Sequence, residues 1–309
     1  MPVGGIPTLL LPTLVLVLLL AMSTTTAATE DALFRWIDAQ EAHQERPWGR
    51  VLDAGTGRHS LRWLTALSAA TEIVAVTGEA ALAVELQAEF GAAAKAPLHV
   101  HAGNWVDDAF LQREQAQGFD VIVADYLVGS IDGFAPYYQD EIFSRLRRLV
   151  APRGRLYVVG LEPLSTASAP SCCGAGAKLV QRMAQLRDAS ILLAGRRCYR
   201  EFPLSWTRRQ LEKSDWRVGD TLQLTNVYRR DTIVRQLEVA RRQLKWFPDE
   251  ALAGTMREAI DRFEKEVGDV LSATADGKIP FGFDYVVAAI ARDGGGQCEA
   301  AKDVTSSVP

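Results

Sequence analysis

The sequence predicts an α/β protein built on a doubly wound, mostly parallel sheet, and three observations carry that expectation. Short runs rich in Val, Ile and Leu alternate with helical stretches, the signature of parallel strands covered by helices. A glycine-rich turn follows the first of these runs. Five strand–helix steps then fit into roughly 110 residues, the spacing of a doubly wound sheet. The composition agrees: of 309 residues, 48 % are hydrophobic and 23 % charged, which excludes a disordered or collagen-like chain. A formal net charge of −4 gives no overall attraction to phosphate backbones, so nucleic acid is not expected as a partner. Four cysteines, none at CxxC spacing, exclude a disulfide framework and point to no metal site.

In chain order, residues 31–44 read as a helix with Leu33, Trp36 and Ile37 on one face, ended by Pro47. Strands are expected at 50–54, 73–77, 98–102, 119–125 and 154–161, with helices between them around 61–70, 80–90, 107–115 and 138–149. Residues 163–176, rich in Ser, Ala, Pro and Gly, read as a loop holding Cys172 and Cys173, which are too close for an easy disulfide. Helices are predicted at 178–193 and at 205–214, the second with Ser205 as N-cap, followed by a sixth strand at 216–224. Two amphipathic helices come next: Ile233, Leu237, Ala240 and Leu244 share one face, and Leu252, Met256, Ile260, Phe263, Val267 and Leu271 another. A run at 285–290 supplies a seventh strand. Residues 30–293 then form one domain with helices on both faces of the sheet and a helical insertion at about 229–275 before the last strand; 294–309 read as a disordered tail.

The first 29 residues carry no charged side chain. Residues 14–22 match the length of a signal-peptide core, about 7–15 residues, and Ala21 and Ser23 flank Met22 in a small-x-small pattern. Residues 3–22 just reach the roughly 20 apolar residues of a membrane span, although Pro7 and Pro12 interrupt them and no Lys or Arg precedes them. Three readings stay open: a signal peptide or anchor, an organelle-targeting segment, and an extension upstream of a start at Met22. The protein is expected at a membrane if residues 1–29 are retained and in the cytoplasm if translation starts at Met22.

The most informative stretch is Val51-Leu52-Asp53-Ala54-Gly55-Thr56-Gly57, a strand running into a turn whose glycines allow close backbone approach, with a helix after it. Such a turn presents bare amides and a helix N-terminus to a nucleotide-like ligand. Asp53 separates two ligand classes. A carboxylate two residues before the first glycine repels a dinucleotide's pyrophosphate and attracts the ammonium and sulfonium of S-adenosylmethionine. The third glycine of a dinucleotide fingerprint is also replaced, by Ser60.

With these residues the sequence resembles the class I S-adenosylmethionine-dependent methyltransferases, whose fold is Rossmann-like, over about residues 48–161 and more loosely near 216–224 and 284–291. Asp53-Ala54-Gly55-Thr56-Gly57 is similar to the family's first motif, Phe119 to Asp125 to its fourth-strand motif, and Leu146 to Tyr157 to its helix–turn–fifth-strand signature. The resemblance implies S-adenosyl-L-methionine as cofactor, held by Asp53, Gly55, Thr56 and Gly57, and a small-molecule acceptor. Two positions depart from the pattern. Thr77 stands where an acidic residue usually ends the second strand, so Glu79 can take the ribose hydroxyls only if Gly78 bends the chain; otherwise Glu79 is a solvated helix-start residue. Asn104 stands where an Asp usually lies beside the adenine; its carbonyl can accept the adenine amino protons, and Trp105 either packs on the ring or is a core aromatic. These departures keep open a non-catalytic member serving as a scaffold at a membrane.

Methyl transfer from a sulfonium is an in-line displacement, so positioning supplies most of the catalysis, and a base is needed only for a protonated nucleophile. Asp125 and Tyr126 end the fourth strand at the ligand-binding edge and are the catalytic candidates, with helix capping as the other reading of Asp125. His59 and His101 are weaker candidates for a base. The segment from Asp125 to Asp132, with Pro136 and Tyr137 after it, also bears comparison with spermidine synthases, but the extra Gly-Asp-Gly run of that family is missing. Residues 226–245 carry a local charge of +4 and residues 246–275 one of −4. The basic stretch favours an anionic acceptor if it covers the site; paired with the acidic helix, it is an ordinary solvated face.

Overall fold

The computed structural model describes residues 27–164, 174–274 and 276–292. The apolar run at 3–22, Cys172, Cys173 and the tail from 294 lie outside these residues. Among the described residues no helix is long and apolar enough to cross a membrane.

Seven strands form one sheet: β1 (Gly49–Asp53), β2 (Ala70–Thr77), β3 (Leu98–Ala102), β4 (Phe119–Asp125), β5 (Val150–Leu161), β6 (Trp216–Tyr228) and β7 (Ile279–Ala291). Their order is β3-β2-β1-β4-β5-β7-β6. β1 to β5 run parallel, and β7 runs antiparallel to both β5 and β6. The chain order reverses between β1 and β4, which places the ligand-binding crevice at the carboxyl ends of those strands.

The parallel strands are apolar on both faces, as strands covered by helices on both sides must be. One face presents Leu52, Val74, Val76, Ile122 and Val158 to α5 (Leu127–Phe134), α6 (Ile142–Arg147) and α8 (Leu204–Lys213). The other presents Val51, Ile73, Val121, Val123 and Val159 to α1 (Ala27–Ala42), α2 (Arg58–Leu64) and α3 (Ala80–Phe90). Glu41, fully buried near the end of α1, ties that helix down: it accepts from the Trp48 amide, from Nε and Nη2 of Arg155 and from the Tyr157 hydroxyl. So many charge-assisted bonds repay the desolvation of the carboxylate.

A third core lies at one end of the sheet. There α7 (Ala175–Leu193), α9 (Arg230–Gln243) and α10 (Glu250–Ser272) pack Met183, Leu237, Ile260 and Phe263 against Tyr228 and Phe281 from β6 and β7. Helices α9 and α10 lie in the chain between β6 and β7. The charge complement of the two stretches becomes ion pairing: Arg241 reaches Glu238, Asp261 and Glu264, and Arg230 reaches Glu264.

The structure departs from the sequence reading in several places. Of the helix expected at 107–115 only α4 (Gln112–Gln115) forms, because the buried Arg145 guanidinium takes the carbonyls of Asp107, Asp108 and Phe110, and Leu111 adopts a left-handed φ of 56°. Residues 127–134, to which the sequence reading assigned no element, form α5. Helix α8 starts at Leu204 with Pro203, not Ser205, in the cap position, and its first amide is received by Glu162 from the end of β5.

Candidate functional site

The turn after β1 is held from both sides. The Ala54 amide bonds to Val123 in β4 and the Thr56 amide to Val76 in β2. Asp53 ends β1 fully buried, with Ser60 from α2 donating to its Oδ2 at 2.7 Å, while Oδ1 has no hydrogen-bond partner. Burial pushes its carboxyl up to about 6, against the opposing effect of the Thr56 and Ser60 hydroxyls and the Gly55 amide.

Beside this turn a narrow cleft of about 40 Å³ opens between the ends of β1, β2 and β3 on one side and α5 on the other. Gly55, Thr56, Thr77, Gly78, Asn104 and Trp105 line it, so the structure brings the glycine-rich turn and the third-strand residues together. Glu79 follows at the start of α3, beyond the bend at Gly78 that the sequence required. Its Oε1 is buried without a hydrogen-bond partner, and burial with the nearby Glu85 charge pushes its carboxyl up to about 7.

Other residues have structural work. Trp105 is 5 % exposed, packs edge-on against Phe110 and donates from Nε1 to the Ala54 carbonyl at 3.0 Å, so it is a core aromatic that pins the β1 turn while showing an edge to the cleft. Asn104 spans the mouth: Nδ2 donates to the Phe134 carbonyl at 2.9 Å and Oδ1 accepts from the Val106 amide at 3.2 Å. A Cβ on Gly55 would stand 2.9 Å from Leu127 Cδ1, and one on Gly78 would overlap the Phe134 ring. Both glycines therefore serve packing by α5. At Gly57 no atom lies within 4 Å of where a Cβ would stand, so its backbone faces open space.

Asp125 and Tyr126 end β4 at the carboxyl edge, and Tyr126 starts α5 with a left-handed φ of 46°. Neither lines the cleft, and Tyr126 packs partly against the core beneath α1 to α3. His59 lies on the Phe34 ring, and neither it nor His101 lines the cleft. Asp132 is buried, with Arg197 at 3.1 Å and Gln139 at 3.1 Å.

A second cavity, of about 430 Å³, lies on the other side of α5 between α7, the end of β5 and residues 197–201. Arg187, Tyr199 and Glu201 line it, and the sequence reading singled out none of them. The only signal was a charged, aromatic run, Arg196-Arg197-Cys198-Tyr199-Arg200-Glu201, between two helices. Cys198 is held as a thiol, its pKa pushed up to about 12 by burial.

No family model matches the chain, and no curated protein matches it. Solved structures do. A Bacillus halodurans protein assigned as a methyltransferase is 13 % identical, with a TM-score of 0.51 over 85 % of this chain and 99 % of that one. The YcgJ protein of Bacillus subtilis is 18 % identical, with a TM-score of 0.50 over 85 % and 99 %. These identities speak to architecture alone. The seven-stranded sheet with its reversed β7, the helices on both faces and the likeness to these structures give the chain the class I methyltransferase fold.

Proposed function

We propose that the protein transfers a methyl group from S-adenosyl-L-methionine to a small-molecule acceptor. The observation that carries this reading is the buried Asp53 carboxyl at the end of β1, with an unpartnered oxygen, beside a glycine-rich turn in a sheet of this fold. A carboxyl there suits a cationic ligand and opposes a pyrophosphate. Glu79, at the start of α3, has a further unpartnered buried oxygen and suits the ribose hydroxyls. When bound, the cofactor supplies an activated methyl on sulfur. Asp53, buried behind the turn, would attract its ammonium; Thr77 on the cleft wall, with Glu79 just beyond it, would border the sugar; and Val76, Ile131 and Trp105 would shield the base from water.

A second reading, a scaffold of this fold that does not bind the cofactor, draws on the Leu127 and Phe134 side chains that crowd Gly55 and Gly78. Calorimetric titration of the protein with S-adenosylmethionine and S-adenosylhomocysteine separates the two. Binding that Asp53→Ala weakens at least about tenfold, some 1.4 kcal/mol, supports the enzyme; no heat from either ligand at millimolar concentration favours the scaffold.

A further inference from the structure

We propose that the cavity beside α5 binds a small amine with an apolar body, that Glu201 receives its ammonium, and that Tyr199 supplies a second polar contact. As an account of the methyl acceptor the proposal rests on the methyl-transfer reading; as a binding site it stands on its own geometry.

Glu201 is placed by glycine. Its carboxyl lies against Gly129 in the first half of α5, where a Cβ would stand 2.8 Å from Oε2. The segment holding Glu201 is fastened there by the Arg200 amide, which donates to the Gly129 carbonyl at 3.3 Å. Burial, with the Asp284 charge on β7, pushes the Glu201 carboxyl up to about 8, against the opposing effect of Arg187 and of the Leu161 amide at the end of β5. Glu201 thus stands at the carboxyl edge of the sheet, between the ends of β4 and β5, where ligands of such sheets gather.

The ion pairs around it are lopsided. Arg187, 8 % exposed, gives Nε to Asp188 at 2.7 Å and Nη1 to Gln236 at 2.9 Å. Arg197 gives Nε to Asp132. Arg200 is exposed. Among the described residues no cation lies within salt-bridge distance of Glu201, and the chain from 165 to 173 contains no Lys or Arg. A carboxyl enclosed in this way, which burial keeps protonated near neutral pH, ionises when a cation from outside the chain is seated on it, and an ammonium fits it in charge and in hydrogen-bond donors.

Tyr199 is the independent observation. It is 7 % exposed, lines the cavity, and its hydroxyl is buried without a hydrogen-bond partner. Gly133 admits its ring, with a Cβ there standing 3.1 Å from Cε1, and the phenol feels the charges of both Glu79 and Glu201. A native protein rarely buries a hydroxyl with nothing to bond. An amine N–H beside Glu201 would satisfy it. The apolar body follows from Leu161, Leu164, Ala184 and Leu192 on the cavity wall.

As methyl acceptor, the ammonium gives one proton to the Glu201 carboxylate. The freed nitrogen lone pair forms the new N–C bond as the S–C bond breaks, its electrons staying on sulfur, and the products are an N-methylammonium, S-adenosylhomocysteine and protonated Glu201.

The test is calorimetric titration of the full chain with n-hexylamine, hexanoate and 1-hexanol near neutral pH, with and without S-adenosylhomocysteine, on wild type, Glu201→Gln and Tyr199→Phe. The proposal expects hexylamine to bind in preference to the other two, about tenfold more weakly to Glu201→Gln and several-fold more weakly to Tyr199→Phe. Homocysteine-ligand affinity should be unchanged, which also reports that both variants are folded. Equal binding of hexylamine to wild type and Glu201→Gln, preference for hexanoate, or equal binding of hexanol overturns it, as does binding of S-adenosylhomocysteine with none of hexylamine. Glu201-dependent hexylamine binding without any S-adenosylhomocysteine binding keeps the amine site and removes the methyl-transfer reading.

Discussion

Single residues divide into those whose chemistry the sequence displays and those whose task depends on a distant neighbour. Asp53 belongs to the first group: a carboxylate before a glycine-rich turn is legible as ligand chemistry, and its burial adds an unpartnered oxygen. Gly55 and Gly78 belong to the second. Each is required because a side chain of α5 fills the space a Cβ would need, and no local pattern announces Leu127 or Phe134 as the occupant. Glu201 was hidden for the same reason, since its meaning comes from Gly129, more than seventy residues earlier. The Phe134 ring makes a direct prediction. Phe134→Ala empties the space over Gly78, so S-adenosylhomocysteine should bind several-fold more tightly than to wild type, as read by calorimetry. Unchanged or weaker binding would show that the ring stacks on the ligand instead of obstructing it.

At the scale of elements, strands and long amphipathic helices were readable because burial repeats along them with a fixed period. β3 and β4 and helix α3 fall at the expected residues, whereas α5 does not. Its sequence, Leu127-Val128-Gly129-Ser130-Ile131-Asp132-Gly133-Phe134, has poor helix propensity. Tertiary contact overrides this: Leu127, Val128 and Ile131 are buried in the core, and the two glycines, one turn apart, give the 199–201 segment room to lie close. The pair α9–α10 shows the reverse, a helix pair whose charges complement each other in sequence as in structure. Arg241 on α9 is the hub, partly buried and within reach of three carboxylates. Arg241→Ala should leave Asp261 and Glu264 repelling each other and cost about 1 kcal/mol. Thermal denaturation should register a loss of about 2–4 °C at low salt, shrinking as salt is raised.

For the whole molecule, the buried acids set the response to pH. Burial pushes Asp53 up to about 6, Glu79 to about 7 and Glu201 to about 8, from ordinary values near 4. A carboxyl whose folded value is raised holds its proton more tightly in the native than in the unfolded chain. Between about pH 4 and pH 8 these groups therefore favour folding at the acid side, and stability falls as pH rises. Melting temperature should drop between pH 5 and pH 8, and Glu201→Gln should flatten the decline between 6 and 8, raising the pH 8 value on the order of 1 kcal/mol, about 3 °C. A wild-type melting temperature that climbs across that window would contradict the burial of these carboxyls. The architecture itself was legible because seven strands, their spacing and the helix pair before the last strand all follow from local patterns. The site was only half legible, because its second cavity is assembled from α5, α7 and a connecting segment whose meeting no periodicity records.

The reversed β7 has a consequence for the order in which the protein can be completed. Among the described residues it is the only strand that pairs with β6, it also closes the open edge of β5, and it is the last of the seven to be synthesised. Roughly 120 residues separate the end of β5 from the start of β7. At about 5–20 residues per second, the ribosome leaves the β5 edge unpaired for on the order of ten seconds. Over that interval the nascent chain carries an unpaired strand edge whose second half, Leu156 to Leu161, is apolar and pairs with nothing until β7 arrives.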